Sequence, residues 1–196
     1  MNYTKISEKE IMVWLKENLN EERYSHSLGT ADTAKNLALK YGLDAEKAYT
    51  AGLLHDAAKC FPKEKSLRII DEHLEIEETE RENYKTIHAP VSAYIAKEYF
   101  GVTDSEILSA IRWHTIGKTG MSLFEKIIFL ADKIEPNTRD ADYRNELIKL
   151  LDEENGLDKA LLKCYKMTII SLVERNLKIC PLTIDIYNDL QRTLNV

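Results

Sequence analysis

The residues that could do chemistry here are five histidines and two aspartates. The histidines are His26, His55, His73, His88 and His114. An imidazole can move a proton near neutrality, ligate a metal, or sit in a core as a hydrogen-bonded residue. His55 shares a helical stripe with Ala48, Ala51 and Gly52, and His114 shares one with Ile107, Ala110 and Ile111, so both are expected to face inward. His26 lies 11 residues, three helical turns, before Leu37, near the apolar side of its helix. His73 lies in an acidic stretch and is expected to be exposed. One inward imidazole usually finds a backbone partner. Three or four in a small domain leave many ring nitrogens to satisfy, and a shared metal satisfies one on each ring. Asp56 directly follows His55. Asp132 follows the run Ile127, Ile128, Phe129, Leu130, Ala131, where a carboxylate needs either a salt-bridge partner or a metal.

Two cations lie at helical spacing from these groups. Arg23 precedes His26 by three positions and Lys59 follows Asp56 by three, so each reads either as a grip on phosphate or as a solvated side chain. Gly117-Lys118-Thr119 matches the last residues of a phosphate-binding P-loop, but that motif needs glycine at 112, where Arg112 stands, and no strand precedes it.

The elements that must position these residues read as helices throughout. Ser7 with Glu10 is a capping box for a first helix to about Asn20, and a second runs over about 21–41, closed by Gly42. Asp44 caps a third, which carries His55 at its end. Pro62 opens a fourth helix to about Glu72. The acidic residues 71–82 read as an exposed connection with some helix. Pro90 starts a helix ending at Gly101, Asp104 caps the next, and Ser122 with Glu125 forms a second capping box for a helix that Pro136 stops. Helices over about 140–153 and 157–177 follow, and Pro181 precedes a short terminal one. With no repeat or linker, the expectation is one all-α domain of about nine helices spanning 1–196, with its core at about 8–180.

Seven glycines and four prolines in 196 residues fit that expectation and argue against a sandwich or barrel. The net charge of −6 argues against an electrostatically driven nucleic-acid binder, while a phosphorylated small molecule needs only a few local cations. Cys60, Cys164 and Cys180 have no metal-site spacing and read as reduced thiols of a cytoplasmic chain. The first residues carry no apolar signal segment, and the longest stretch without charge, Thr86–Ala96, is too short to span a bilayer.

The order His26, His55-Asp56, Asp132 resembles the HD superfamily of metal-dependent phosphohydrolases. Within it, Arg23-Tyr24-Ser25-His26, His55-Asp56-Ala57-Ala58-Lys59, His88-Ala89-Pro90, Arg112-Trp113-His114 and Asp132-Lys133-Ile134-Glu135-Pro136-Asn137 follow the order of the YqeK-type branch, over about residues 8–180. The spacings of 29 residues from His26 to His55 and 76 from Asp56 to Asp132 leave room for intervening helices.

The resemblance implies a helical HD domain and symmetrical hydrolysis of diadenosine tetraphosphate to two ADP. It implies a divalent metal on His26, His55, Asp56 and Asp132, a mixed N/O set suited to iron or manganese, iron foremost, with no organic cofactor. It also implies catalytic roles for Asp56, Lys59 and His114. Contacts to nucleotide or phosphate are implied for Arg23, Asp56, Ala57, Ala58, Lys59, His88 and His114, and for Asp132, Lys133, Ile134, Glu135, Pro136, Asn137 and Thr138. His88 at a helix start and His114 at a helix end suit phosphate more than a second metal. Thr138 stands where the family commonly has arginine, and Arg139 follows, so either could meet the substrate. The partner expected is a dinucleoside polyphosphate, with no nucleic acid or membrane, and a homodimer is compatible. The rival readings are another HD nucleotide hydrolase (acting on 5'-nucleotides, deoxynucleoside triphosphates or guanosine tetraphosphate), a nucleotide-binding regulatory module without turnover, and a helical scaffold with buried histidines.

Overall fold

Local capping chemistry sets most of the helix boundaries. The computed structural model describes residues 2–81 and 84–195. Regular structure among them is wholly helical: α1 (Glu8–Asn18), α2 (Glu21–Lys40), α3 (Ala45–Leu54), α4 (Lys63–His73), α5 (Glu78–Arg81), α6 (His88–Glu98), α7 (Ser105–Trp113), α8 (Leu123–Ile134), α9 (Ala141–Leu150), α10 (Gly156–Glu174) and α11 (Pro181–Leu194). Both expected capping boxes form, Ser7 with Glu10 and Ser122 with Glu125. Asp44 and Asp104 accept backbone N–H groups of the first turns of α3 and α7.

The all-α class is as expected, but three details differ. Asn20 does not end the first helix; its side chain accepts the Arg23 N–H and caps α2. α6 begins at His88, two residues before Pro90, because proline in a first turn gives up only an N–H that has no helical partner. The described residues form eleven helices and not about nine: the acidic connection contributes the single turn α5, and the terminal helix after Pro181 is 14 residues long and not short. That connection is not wholly solvated: Glu80 is buried and accepts two bonds from Arg112, at 2.7 and 2.6 Å. Glu82, at its end, lies outside the described residues.

α2 packs along α3 and α8, and α7 packs on α6 and α8. α8 buries Phe124, Ile127, Ile128, Leu130, Ala131 and Ile134. Gly52 permits a close backbone approach of α3 to α2: a Cβ there would lie 2.8 Å from Ala31 Cα and 2.9 Å from the Thr30 carbonyl oxygen. Since Gly52 stands one turn before His55, this contact seats the end of α3 directly against α2. Among the described residues no helix is long and apolar enough to cross a membrane. The three cysteines are free.

Candidate metal centre

Five elements deliver the site. His26 comes from the first half of α2, His55 and Asp56 from the end of α3, His88 from the start of α6, His114 from the end of α7, and Asp132 from the last turns of α8. All six are at most 5% exposed.

The ring orientations decide what the site can hold. His55 Nδ1 donates to the Gly52 carbonyl at 2.6 Å, His114 Nδ1 to the Ile111 carbonyl at 2.7 Å, and His26 Nδ1 to Glu135 Oε1 at 3.0 Å. These acceptors have no proton to give, so Nδ1 carries the hydrogen, and Nε2 of the neutral ring is bare. His26 Nε2 and His55 Nε2 stand 3.2 Å apart. Asp132 Oδ1 lies 2.9 and 3.8 Å from them, and Asp56 Oδ2 3.9 and 3.7 Å. Two lone pairs and two carboxylate oxygens so placed repel one another unless a cation sits among them. The donor set is two nitrogens and two oxygens, which fits a divalent transition metal.

A second set overlaps the first through Asp56. Its Oδ1 is buried without a hydrogen bond of sound geometry and faces His88 Nε2 at 2.9 Å and His114 Nε2 at 3.3 Å. The two ring nitrogens are 3.2 Å apart. Beside His88 stands a cation: Lys59 Nζ lies 3.4 Å from its Nδ1 and 3.1 Å from its Nε2.

Electrostatics hold His55, His88, Asp56 and Asp132 in their binding forms, whereas at His26 burial is outweighed by the carboxylates of Asp132 and Glu135, which raise the pKa of the ring. Burial pushes the His55 ring down to about 3 and the His88 ring down to about 4, so both are neutral. Burial opposes charge on Asp56, but the imidazoles of His55, His114 and His88 outweigh it and hold the carboxyl well below its usual range. For Asp132 burial is likewise outweighed, by Lys133, His26 and Arg139.

Around the centre stand four cations. Arg23 Nη1 lies 3.6 Å and Lys59 Nζ 4.0 Å from Asp56, Lys133 Nζ donates to Asp132 Oδ2 at 2.7 Å, and Arg139 Nη2 donates to Asp132 Oδ1 at 2.5 Å. The segment after α8 departs from the sequence-based picture. Glu135 is fully buried behind His26, Thr138 turns inward onto Glu135, and Ile134 is in the core. Pro136 and Asn137 are exposed, and Arg139, not Thr138, reaches the aspartate. Ala57 and Ala58 are buried, and their N–H groups are committed to the Leu54 carbonyl and to Ser92 Oγ. Glu125 stays away from the centre, paired with Lys118 at 2.7 Å, and His73 is exposed, stacked on Tyr94. Sequence reasoning missed Ser92 and the buried position of Glu135. The only local signal was the displaced arginine at 139.

The chain is also similar to known proteins over nearly its whole length. The HD domain family matches residues 23–137. The chain is 39% identical to the symmetrical bis(5'-nucleosyl)-tetraphosphatase of Bacillus subtilis, over 93% of this chain and 97% of that protein. It is 39% identical to the protein of the same description from Halalkalibacterium halodurans, over 90% and 92%. The crystal structure of a "predicted HD superfamily hydrolase involved in NAD metabolism" from Clostridium acetobutylicum superposes with a TM-score of 0.89 at 40% identity, covering 96% of this chain and 98% of that one. The chain therefore belongs to the HD-domain family, in its group of symmetrical bis(5'-nucleosyl)-tetraphosphatases.

Proposed function

We propose that this chain is a metal-dependent hydrolase that cleaves diadenosine tetraphosphate at the centre of its phosphate bridge to give two ADP. The observation that carries this reading is the convergence of two bare imidazole nitrogens and two ionised carboxylates under a rim of four cations. Relatives described as symmetrical bis(5'-nucleosyl)-tetraphosphatases, similar over nearly the whole chain, support it. The metal proposed is iron, with manganese as the substitute, held by His26, His55, Asp56 and Asp132. A bound divalent ion would supply Lewis acidity, lowering the pKa of a water and polarising a phosphate oxygen.

The chain's own residues do the rest. Arg23 and Lys59 meet the phosphates, Lys59 beside His88 at the mouth of the second donor set. His88 and His114 hold phosphate oxygens, and Asp56 orients the attacking water. Water adds to a central phosphorus, the bridging P–O bond breaks, and ADP leaves as the second product. Charge that builds on the phosphate oxygens is offset by Arg23, Lys59 and His114. We place the enzyme in the cytoplasm, as a single HD domain over residues 1–196.

Product analysis tests the reading. Diadenosine tetraphosphate should yield ADP alone, resolved by chromatography. AMP with ATP would show cleavage off-centre and overturn the assignment, and turnover confined to mononucleotides or guanosine tetraphosphate would transfer the chain to a different HD activity. A second measurement concerns the rim. Arg23→Ala and Lys59→Ala should retain bound metal but lose about 1.5–3 kcal/mol of substrate or transition-state binding each, roughly 10–150-fold in kcat/KM. Wild-type kinetics in both would return these residues to the solvated surface.

A further inference from the structure

We infer that Glu135 is a positioning residue that acts on the metal seat through His26 and does not itself touch nucleotide. The inference rests on the metal-centre reading above. Glu135 is fully buried, and the polar atoms hydrogen-bonded to its carboxylate among the described residues are donors. Oε1 accepts from His26 Nδ1 at 3.0 Å, from the Thr138 N–H at 3.0 Å and from the Thr138 hydroxyl; Oε2 accepts from the Asn137 N–H at 2.6 Å. The loop after α8 is thus wrapped round this one carboxylate. Asn137 then ties the loop to α2 by donating from Nδ2 to the Ser25 carbonyl at 2.8 Å, next to His26.

The consequence falls on one atom. A carboxylate locked by backbone donors can only accept, so it fixes the His26 hydrogen on Nδ1 and leaves Nε2 bare and aimed at Asp132 and His55. Carboxylate support of this kind also raises the basicity of a metal-binding imidazole. α2 makes room for it. A Cβ on Gly29, one turn after His26, would lie 2.3 Å from Glu135 Oε2, so the glycine keeps open the space the carboxylate fills. A glycine inside a helix is otherwise unfavourable relative to alanine.

Glu135→Gln is the direct test. The amide keeps the size but puts an N–H2 against donors. Manganese titration of the metal-free protein, read by calorimetry, should give affinity about 10–100-fold weaker than wild type. Gly29→Ala, which displaces the carboxylate without removing it, should weaken affinity in the same direction, and Thr138→Val should do so by a smaller factor. These two milder variants carry the test if circular dichroism shows Glu135→Gln unfolded. In a His26→Ala background, Glu135→Gln should cause no further loss, which separates action through His26 from a structural role. Unchanged affinity in the folded variants, or the same loss with and without His26, would overturn the inference while leaving the metal centre intact. A wild-type protein that binds no metal would overturn both.

Discussion

Asp56→Ala should leave the chain folded, strip it of metal, and lower turnover of diadenosine tetraphosphate by at least about 10³-fold, the scale on which a lost transition-state electrostatic contact is felt. Asp56 is the residue shared by both donor sets. Its Oδ2 faces His26 and His55, and its Oδ1 faces His88 and His114. Its negative charge also lies beside Arg23 and Lys59 and offsets their mutual repulsion. Asp56→Asn keeps the shape and removes the charge, so it should retain some metal at high concentration and fall between the two extremes. Metal content by elemental analysis, alongside turnover, checks this; full metal and full activity in Asp56→Ala would remove the residue from the centre. The same titration counts the ions. We expect one per chain in wild type and one in His88→Ala, His114→Ala. Two in wild type falling to one in the double variant would make the second donor set a metal site.

What the sequence revealed, and what it hid, follows from the range of each interaction. Helix starts rest on side chains three residues from the N–H groups they satisfy, so Ser7, Asp44, Asp104 and Ser122 were legible as caps. The inward faces of His55 and His114 followed from helical period alone. Asn20 was misjudged because it sits between two helices and either could claim it; only the Arg23 N–H decides. Nothing local shows that Glu135 would lie behind His26, 109 residues earlier, because that contact exists only once α2 and α8 are packed. The same holds for Arg139. Its fork closes on Asp132 seven residues back because the chain turns sharply after Pro136, so Nε reaches the Asp132 carbonyl at 2.6 Å and Nη2 its carboxylate. Thr138, with no charge to place, turns in to complete the cage round Glu135. Sequence order leaves either residue free to meet the substrate, and the fold turns Arg139 onto Asp132 and Thr138 onto Glu135.

Arg112→Met should destabilise the protein by about 3–5 kcal/mol, the effect of leaving a buried carboxylate without its partner. Glu80 is only 4% exposed, and its two oxygens take a parallel pair of bonds from Arg112 Nη1 and Nη2. The guanidinium also lies over Trp113, 4.2 Å from the ring centroid, so it is held in plane for that fork. Methionine fills the space of the stem but offers Glu80 no charge and no donor. For a domain of this size the loss should appear as a fall in melting temperature of roughly 6–20 °C. Glu80→Leu combined with Arg112→Met should recover most of it, since both desolvated ions are then gone together. Urea melts of the single and double variants measure the coupling. Small and additive losses would show that the pair contributes little. Because neither residue contacts the metal donors, metal content of the folded fraction should stay at the wild-type level. The pair's structural work is to pin the turn at Glu78–Arg81 against α7, two residues before the helix delivers His114.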